Sequence, residues 1–178
     1  MQKKTLWSKL KKMNISKNSR NKFFSNETLF SLVTITSIFF LDRVSKISIL
    51  KKQADSKGSI FVNDYLNFDL VWNTGISFGL FSQNANIYYH AISFLIFSVI
   101  VFLSYLVSRA ISIDKALFSL ILGGALGNFY DRVFYFAVPD FIDFHIGDFH
   151  WFTFNIADIF ITFGIILIIL KDLILNKK

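Results

Sequence analysis

Residues Val138–Asp158 read VPDFIDFHIGDFHWFTFNIAD, and they lead directly into an apolar run, Ile159–Leu170, that is suited to a lipid bilayer. Four of the twelve acidic residues of the chain fall within this segment. A carboxylate in the hydrocarbon region costs on the order of 2.5 to 3.5 kcal/mol on insertion scales. Asp158, at the start of the apolar run, is therefore a candidate functional residue, and Asp140 is the partner that we predict for it.

The composition is that of a membrane protein. Hydrophobic residues make up 53% of the 178 residues and the mean hydropathy is +0.50, which is too apolar for a soluble domain. The single proline suits long helices that satisfy their own backbone hydrogen bonds in lipid. The absence of cysteine excludes disulfides, thiolate metal ligands and a cysteine nucleophile, and three scattered histidines do not make a zinc site.

The positive charge is concentrated at the N-terminus. Eight Lys or Arg residues and no acidic residue precede position 23, in a chain with a net charge of +7. A basic segment before the first apolar helix indicates a cytoplasmic flank. No nucleic-acid-binding module surrounds it, so we expect no nucleic-acid partner. We interpret residues 1–27 as a basic cytoplasmic tail, either disordered or lying on lipid as a weakly amphipathic helix.

Four apolar segments predict four transmembrane helices, at about residues 28–50, 87–108, 116–132 and 155–175. Together with their connections they form a membrane domain, residues 28–178. Four spans return the C-terminus to the side of the basic tail, so we expect both termini in the cytoplasm. The expected fold class is an α-helical, multi-pass membrane protein.

The segment between the first two helices has a period of two. Apolar and more polar residues alternate from Leu66 to Trp72, which predicts an amphipathic strand paired with Ser59–Asn63. We therefore expect a small extracytoplasmic β-sheet at the membrane surface, at about residues 59–73.

The outer ends of the predicted helices carry unusual polar residues. Asp42 and Lys46 are four residues apart and can form either a simple interfacial salt bridge or part of a site. We expect the Arg43 side chain to point elsewhere and to reach toward the membrane surface. Two carboxylates held close together share a proton, and such a pair can activate a water molecule without a metal or cofactor. The polar residues on this side of the membrane are Asp42, Lys46, Asn73, Asn128, Asp131, Arg132, Asp140, Asn155 and Asp158.

Five blocks of sequence occur in a fixed order. They are Asp42–Lys46 (DRVSK), Asn73–Phe78 (NTGISF), Gly123–Arg132 (GGALGNFYDR), Val138–Phe141 (VPDF) and Phe154–Asp158 (FNIAD). In these blocks the chain resembles lipoprotein signal peptidase, the type II signal peptidase family of bacteria, over most of its length. The resemblance implies a four-helix aspartic endopeptidase of the bacterial cytoplasmic (inner) membrane, with its active site at the extracytoplasmic face.

The same resemblance implies roles for individual residues. Asp140 and Asp158 correspond to the catalytic dyad, and neither a metal nor another cofactor is expected. The implied partners are membrane lipid and a prolipoprotein, which is cut just before its diacylglyceryl-modified cysteine. The residues implied to bind substrate or to support the site are Asn73, Gly75, Asn128, Arg132, Asn155, Asp42, Lys46 and Asp131.

Without the resemblance, the residues leave alternatives open. A small proton-coupled transporter or channel also contains paired membrane carboxylates, although transporters tend to place them at the midplane and to show repeats. A membrane scaffold packed through Gly123 and Gly127 would make the carboxylates incidental.

The acidic residues that follow Asp140 leave a further choice. Asp143 is an alternative member of the dyad, but we interpret both Asp143 and Asp148 as solvated loop carboxylates. We expect His145 and His150 to be interfacial or hydrogen-bonded ring residues.

Overall fold

The structure is a computed structural model that describes residues 26–56, 58–74 and 85–175. The helices are α1 (Asn26–Ser56), α2 (Ala85–Arg109), α3 (Ser112–Tyr135) and α4 (Ile156–Leu175). The strands are β1 (Ile60–Asn63), β2 (Leu66–Asn73), β3 (Val138–Ile146) and β4 (Phe149–Phe154). The expected mostly helical chain with a small antiparallel sheet is confirmed. Most of the basic tail, and Gly75 with the residues that follow it, lie outside the described part of the chain.

Helix α3 is central, because it packs against α1, α2 and α4. Glycines of α3 allow α1 and α4 to pack closely against it on two sides. A Cβ atom on Gly123 would lie 2.9 Å from the Cβ of Ile38, and one on Gly127 would lie 2.6 Å from Asp42 Oδ2, both on α1. A Cβ on Gly124 would lie 2.5 Å from the carbonyl oxygen of Ala157 on α4. Small residues therefore set the helix spacing that brings polar groups of α1, α3 and α4 together.

The outer surfaces of the helices are apolar. Phe40 on α1, Phe94 on α2 and Phe163 on α4 are each more than half exposed. Within the described residues, two helices are long and apolar enough to cross a membrane, with mean hydropathies of 1.4 for Asn26–Asp55 and 2.4 for Tyr89–Arg109. Large apolar side chains thus face outward while charged groups lie inside, as expected of a chain whose solvent is lipid.

The sheet is larger than the sequence indicates. Its four strands run antiparallel in the order β1-β2-β3-β4. The β1–β2 pair matches the prediction, but β3 and β4 lie where we expected an outer loop. The first six residues of β3 are all buried, so the strand shows no alternation, and Pro139 is a residue that strands disfavour. The prediction of a sheet confined to residues 59–73 was therefore wrong.

Gly127 provides a test of the helix packing. We expect Gly127→Ala to lower the free energy of unfolding by about 1–3 kcal/mol, because the added methyl group overlaps the buried Asp42 carboxylate. The matched control is Gly58→Ala, where an added Cβ meets nothing within 4 Å. The measurement is denaturant unfolding in detergent, and equal stability of the two variants would contradict the packing described for α1 and α3.

Candidate active site

Asp140 lies on β3, and Asp158 lies in the first turn of α4. Asn155, the residue between β4 and α4, joins them. Its side-chain amide donates to Asp140 Oδ1 at 2.6 Å, and its backbone N–H donates to Asp158 Oδ2 at 3.1 Å. The N–H of Asp158 in turn donates to Asn155 Oδ1 at 3.1 Å. Asn155 and Asp158 therefore form a capping box, which fixes Asp158 at the start of α4 beside Asp140.

Each carboxylate oxygen of the two aspartates accepts a hydrogen bond from an amide. Asn73 Nδ2 donates to Asp140 Oδ2 at 2.9 Å, and Asn155 Nδ2 donates to Asp140 Oδ1. Asn128 Nδ2 donates to Asp158 Oδ1 at 2.7 Å, and the backbone N–H of Asn155 donates to Asp158 Oδ2. Amides orient both carboxyl groups without bringing a full positive charge to them, so the pair is able to retain a proton.

Burial raises the pKa of Asp140 to about 6. The hydrogen bond from Asn73 acts against this shift, whereas the charge of Asp158 adds to it. Because the group is protonated below its pKa, Asp140 carries its proton at mildly acidic pH, where an ordinary aspartate is ionised. Two coupled carboxyl groups that share one proton provide a general base and a general acid together.

The coupling between the two groups is testable by titration. We expect Asp158→Asn to shift the pKa of Asp140 downward from about 6, because the variant removes a neighbouring negative charge. Infrared difference titration of the protonated carboxyl band measures this pKa, and loss of the band in Asp140→Asn assigns it. An unchanged or higher midpoint in Asp158→Asn would show that the carboxyl groups are not coupled.

A neutral cluster of four buried charges lies beside the two aspartates: Asp42, Arg43, Lys46 and Asp131. Lys46 Nζ lies 2.8 Å from Asp42 Oδ2 and 2.7 Å from Asp131 Oδ2. Arg43 Nη2 lies 2.5 Å from Asp131 Oδ1 and 3.2 Å from Asp42 Oδ2. Each buried charge thus has partners of the opposite sign, which burial of ions requires.

Arg43 corrects one expectation from the sequence. We expected this side chain to point away from the site and to reach toward the membrane surface. It is instead 7% exposed, and its guanidinium lies 4.8 Å from the centre of the Tyr130 ring. Its partner Asp131 is distant in sequence, so only the packing of α1 on α3 reveals the contact.

The charge cluster is connected to the aspartates by hydrogen bonds. Lys46 Nζ donates to Asn128 Oδ1 at 2.9 Å, which leaves the NH₂ group of Asn128 for Asp158. Because an ammonium group only donates, Lys46 fixes the orientation of the Asn128 amide. Asp42 Oδ1 accepts the backbone N–H of Ala157 at 3.1 Å, beside Asp158. Asp42, Lys46 and Asp131 therefore hold other site residues in place.

Arg132 lies on α3, next to Asp131, and is 8% exposed. Its guanidinium is within electrostatic reach of both Asp140 and Asp158. Among the described residues, no hydrogen-bond acceptor meets its Nε or Nη1. The hydroxyl group of Tyr89 on α2 donates to the backbone carbonyl of Arg132.

An open groove of about 320 Å³ lies between α2 and α3, with Arg132 in its wall. The groove is mostly apolar and its other wall residues are Tyr89, His90, Ser93, Phe94, Phe97, Phe129, Val133 and Phe136.

Asp143 is not the solvated loop carboxylate that we expected. It lies on β3, is 6% exposed, and contacts His150 Nδ1 through both carboxylate oxygens, at 2.8 and 3.0 Å. Alternate residues of a strand face opposite sides, so Asp143, three positions after Asp140, points away from the candidate dyad. The expectation of a hydrogen-bonded ring is confirmed for His150, and His145 and His150 lie opposite each other on β3 and β4.

Comparisons with known proteins agree on one family. A family model described as signal peptidase (SPase) II matches residues 34–174. A lipoprotein signal peptidase of Pelagibacter ubique (strain HTCC1062) is 44% identical over 159 residues, covering 89% of this chain and 96% of that protein. A lipoprotein signal peptidase of Anaplasma phagocytophilum (strain HZ) is 40% identical over 150 residues, with coverages of 83% and 94%.

A solved structure described as a bacterial membrane enzyme, obtained by the in meso method, is also similar to this chain. It aligns with a TM-score of 0.65 at 30% sequence identity, and the alignment covers 80% of this chain and 91% of that chain. The sequence range that matches the family model contains both Asp140 and Asp158.

Proposed function

Because the chain belongs to the signal peptidase II family, an aspartic peptidase family that removes signal peptides from prolipoproteins, we propose that Asp140 and Asp158 are its catalytic dyad. The observation that carries this proposal is the position of Asn155, which donates one hydrogen bond to each carboxylate. Asn155 therefore holds the two carboxyl groups as a pair, as joint action on a single water molecule requires.

In the proposed mechanism the pair begins with one shared proton. The ionised carboxylate removes a proton from the attacking water, and the protonated carboxyl group donates a hydrogen bond to the carbonyl oxygen of the scissile peptide bond. Water oxygen bonds to the carbonyl carbon and the carbon–nitrogen bond then breaks. The amine of the cysteine residue leaves with a proton from the dyad, and the pair returns to its singly protonated state.

The groove between α2 and α3 supports the proposal that the substrate carries a diacylglyceryl-modified cysteine. Phenylalanine side chains, among them Phe94, Phe97 and Phe129, offer an apolar wall for acyl chains. Arg132 shares that wall, is close to the dyad and has free donors within the described structure. Its guanidinium suits the ester oxygens or the peptide carbonyls near the modified cysteine.

We also propose that all four helices span the bacterial inner membrane, with both termini in the cytoplasm and the dyad at the extracytoplasmic face. Helices of 24 and 20 residues, as in α3 and α4, are about 30 Å or more in length at 1.5 Å per residue. The basic character of residues 1–27 supports the cytoplasmic assignment of the N-terminus, and residues 28–178 form the peptidase domain.

The proposed function is tested with purified protein in detergent and two peptides that differ only in the diacylglyceryl group on cysteine. We expect cleavage directly before the modified cysteine, little or no cleavage of the unmodified peptide, and no effect of a chelator on the rate. Mass spectrometry of the products locates the cut. Equal cleavage of both peptides would contradict the proposed role of the groove, and cleavage elsewhere would contradict the proposed reaction.

A further inference from the structure

The hairpin of β3 and β4 carries a second group of polar side chains: Asp143, His145 and His150. One potential ligand atom from each residue lies within 4.8 Å of the other two. Asp143 Oδ2 is 2.8 Å from His150 Nδ1 and 3.8 Å from His145 Nδ1. The two imidazole rings stack with their centres 5.0 Å apart and their planes at 21°. Three side chains of types that bind metal ions therefore lie close together.

The strands hold this group in place. His145 and His150 are direct partners across β3 and β4, so both side chains are on one face of the sheet. Asp143 precedes His145 by two positions, which places it on the same face. A tight turn with Gly147 in the left-handed conformation, φ 57°, joins the two strands. Because the group stands on paired strands, its geometry does not depend on a mobile loop.

Asp143 is buried and His145 is largely covered. The side chains of Asp143 and His145 are 8% and 11% exposed. Within the described residues, His145 Nδ1 has no hydrogen-bond partner, and only histidines form an ion pair with Asp143. A buried ring nitrogen without a hydrogen-bond partner is costly, as is a buried carboxylate that only histidines pair with in the described structure, and a cation between them would satisfy both.

We propose that Asp143, His145 and His150 bind one divalent transition-metal ion, and that Zn²⁺ suits them best. Zinc binds imidazole nitrogen and carboxylate oxygen at about 2.0–2.2 Å, so tetrahedral ligand atoms are about 3.4 Å apart. The separations of 2.8 and 3.8 Å from Asp143 Oδ2 lie on either side of that value. The His150 side chain is 55% exposed, so the ion and a fourth ligand, water, have access from solvent.

The role of this ion is structural. It links β3, which carries Asp140, to β4, which leads into Asn155, so it stiffens the hairpin that supports the dyad. Asp143 faces away from Asp140, and the ion therefore takes no part in the cleavage chemistry. The inference is independent of the proposed peptidase mechanism.

The test uses the full chain in detergent, purified without a histidine tag and stripped with a chelator that is then removed. Titration with Co²⁺ is followed by the visible absorption bands of a tetrahedral site, and Zn²⁺ is added as a competitor. We expect one Co²⁺ per chain, displaced by Zn²⁺, and an increase in the melting temperature of the protein on addition of Zn²⁺.

Variants identify the ligands. We expect His150→Ala and Asp143→Asn to weaken binding by about tenfold or more, and His150 is exposed enough that its loss leaves folding intact. His90→Ala is the matched control, because His90 is the remaining histidine of the chain, and it should bind as the wild type does. Failure of folded wild type to bind one Co²⁺, or full binding by His150→Ala, would overturn the proposal. Loss of the absorption bands in Asp140→Asn would place the ion at the dyad and would overturn it as well.

Discussion

Asn in place of either Asp140 or Asp158 is expected to reduce the cleavage rate by about 10³-fold or more. The amide has nearly the shape of the carboxyl group but neither removes a proton from water nor supplies one to the leaving amine. Because the two groups act as one proton-sharing unit, the double variant should be no slower than the single variants. The measurement is the rate of product formation from the diacylglyceryl-modified peptide at saturating enzyme.

The controls for this prediction address folding and chemistry. In each variant the new side chain keeps one accepting oxygen, but its NH₂ group replaces an oxygen that accepts an amide N–H, so one hydrogen bond is lost. The melting temperature of each variant is therefore measured, so that loss of cleavage is assigned only to folded protein. Intact-mass analysis excludes deamidation of Asn back to Asp, which would restore activity. Losses in the two single variants that multiply in the double variant would show that the groups act independently.

Lys46→Met is expected to destabilise the fold by about 3–5 kcal/mol. Lys46 is 1% exposed and is the shared partner of Asp42 and Asp131, so its loss leaves two buried carboxylates with Arg43 alone. Activity should fall further than stability explains, because Asn128 also loses the group that fixes its orientation toward the dyad. Denaturant unfolding in detergent measures the first effect, and the cleavage rate of the folded fraction measures the second.

Two comparison variants make the Lys46 result specific. Lys51→Met changes an exposed lysine of the same helix and should alter stability by no more than about 0.5 kcal/mol. Adding Asp42→Asn to Lys46→Met removes one of the unpaired charges, so the double variant should be more stable than Lys46→Met alone. If Lys46→Met is as stable as Lys51→Met, the buried charge cluster does not support the fold.

The helices and the first hairpin were predictable because their signals are local. Long apolar segments identify α1 and α2, and a period of two identifies β2. Strand β3 has no such signal, since its first six residues are buried and one of them is Pro139. One further signal is present in the sequence and predicts the start of α4: Asn155 and Asp158 have the three-residue spacing of a capping box before an apolar run.

The sequence predicted which residues form the site better than it predicted the contacts between them. The resemblance identified the carboxylates and their amide neighbours. Which carboxylate oxygen accepts a hydrogen bond from which amide depends on how α1, α3 and the sheet pack. Arg43 is the clearest example. Its long side chain could either reach the membrane surface or turn inward, and it turns inward because it pairs with Asp131, a residue distant in sequence. Asp143 was predicted to lie in a loop because β3, the strand that contains it, was not predicted.

The transporter and scaffold alternatives lose their support for physical reasons. The candidate dyad sits at the start of α4 and on the sheet, whereas transporters place their binding groups near the bilayer midplane. The glycines of α3 do serve packing, but Gly127 makes room for the Asp42 carboxylate, so packing and the site share one structure.

The most direct test of the account compares single-turnover cleavage by the wild type and by Asp140→Asn, Asp158→Asn and Asp143→Asn, prepared in the same detergent. Asp143 is the matched control, since it is a buried aspartate of the same strand as Asp140 that faces the other way. We expect Asp143→Asn to retain cleavage, because this carboxylate faces away from the dyad, while the other two variants do not cleave. Retained cleavage by Asp140→Asn, with loss of cleavage by a folded Asp143→Asn, would contradict the account.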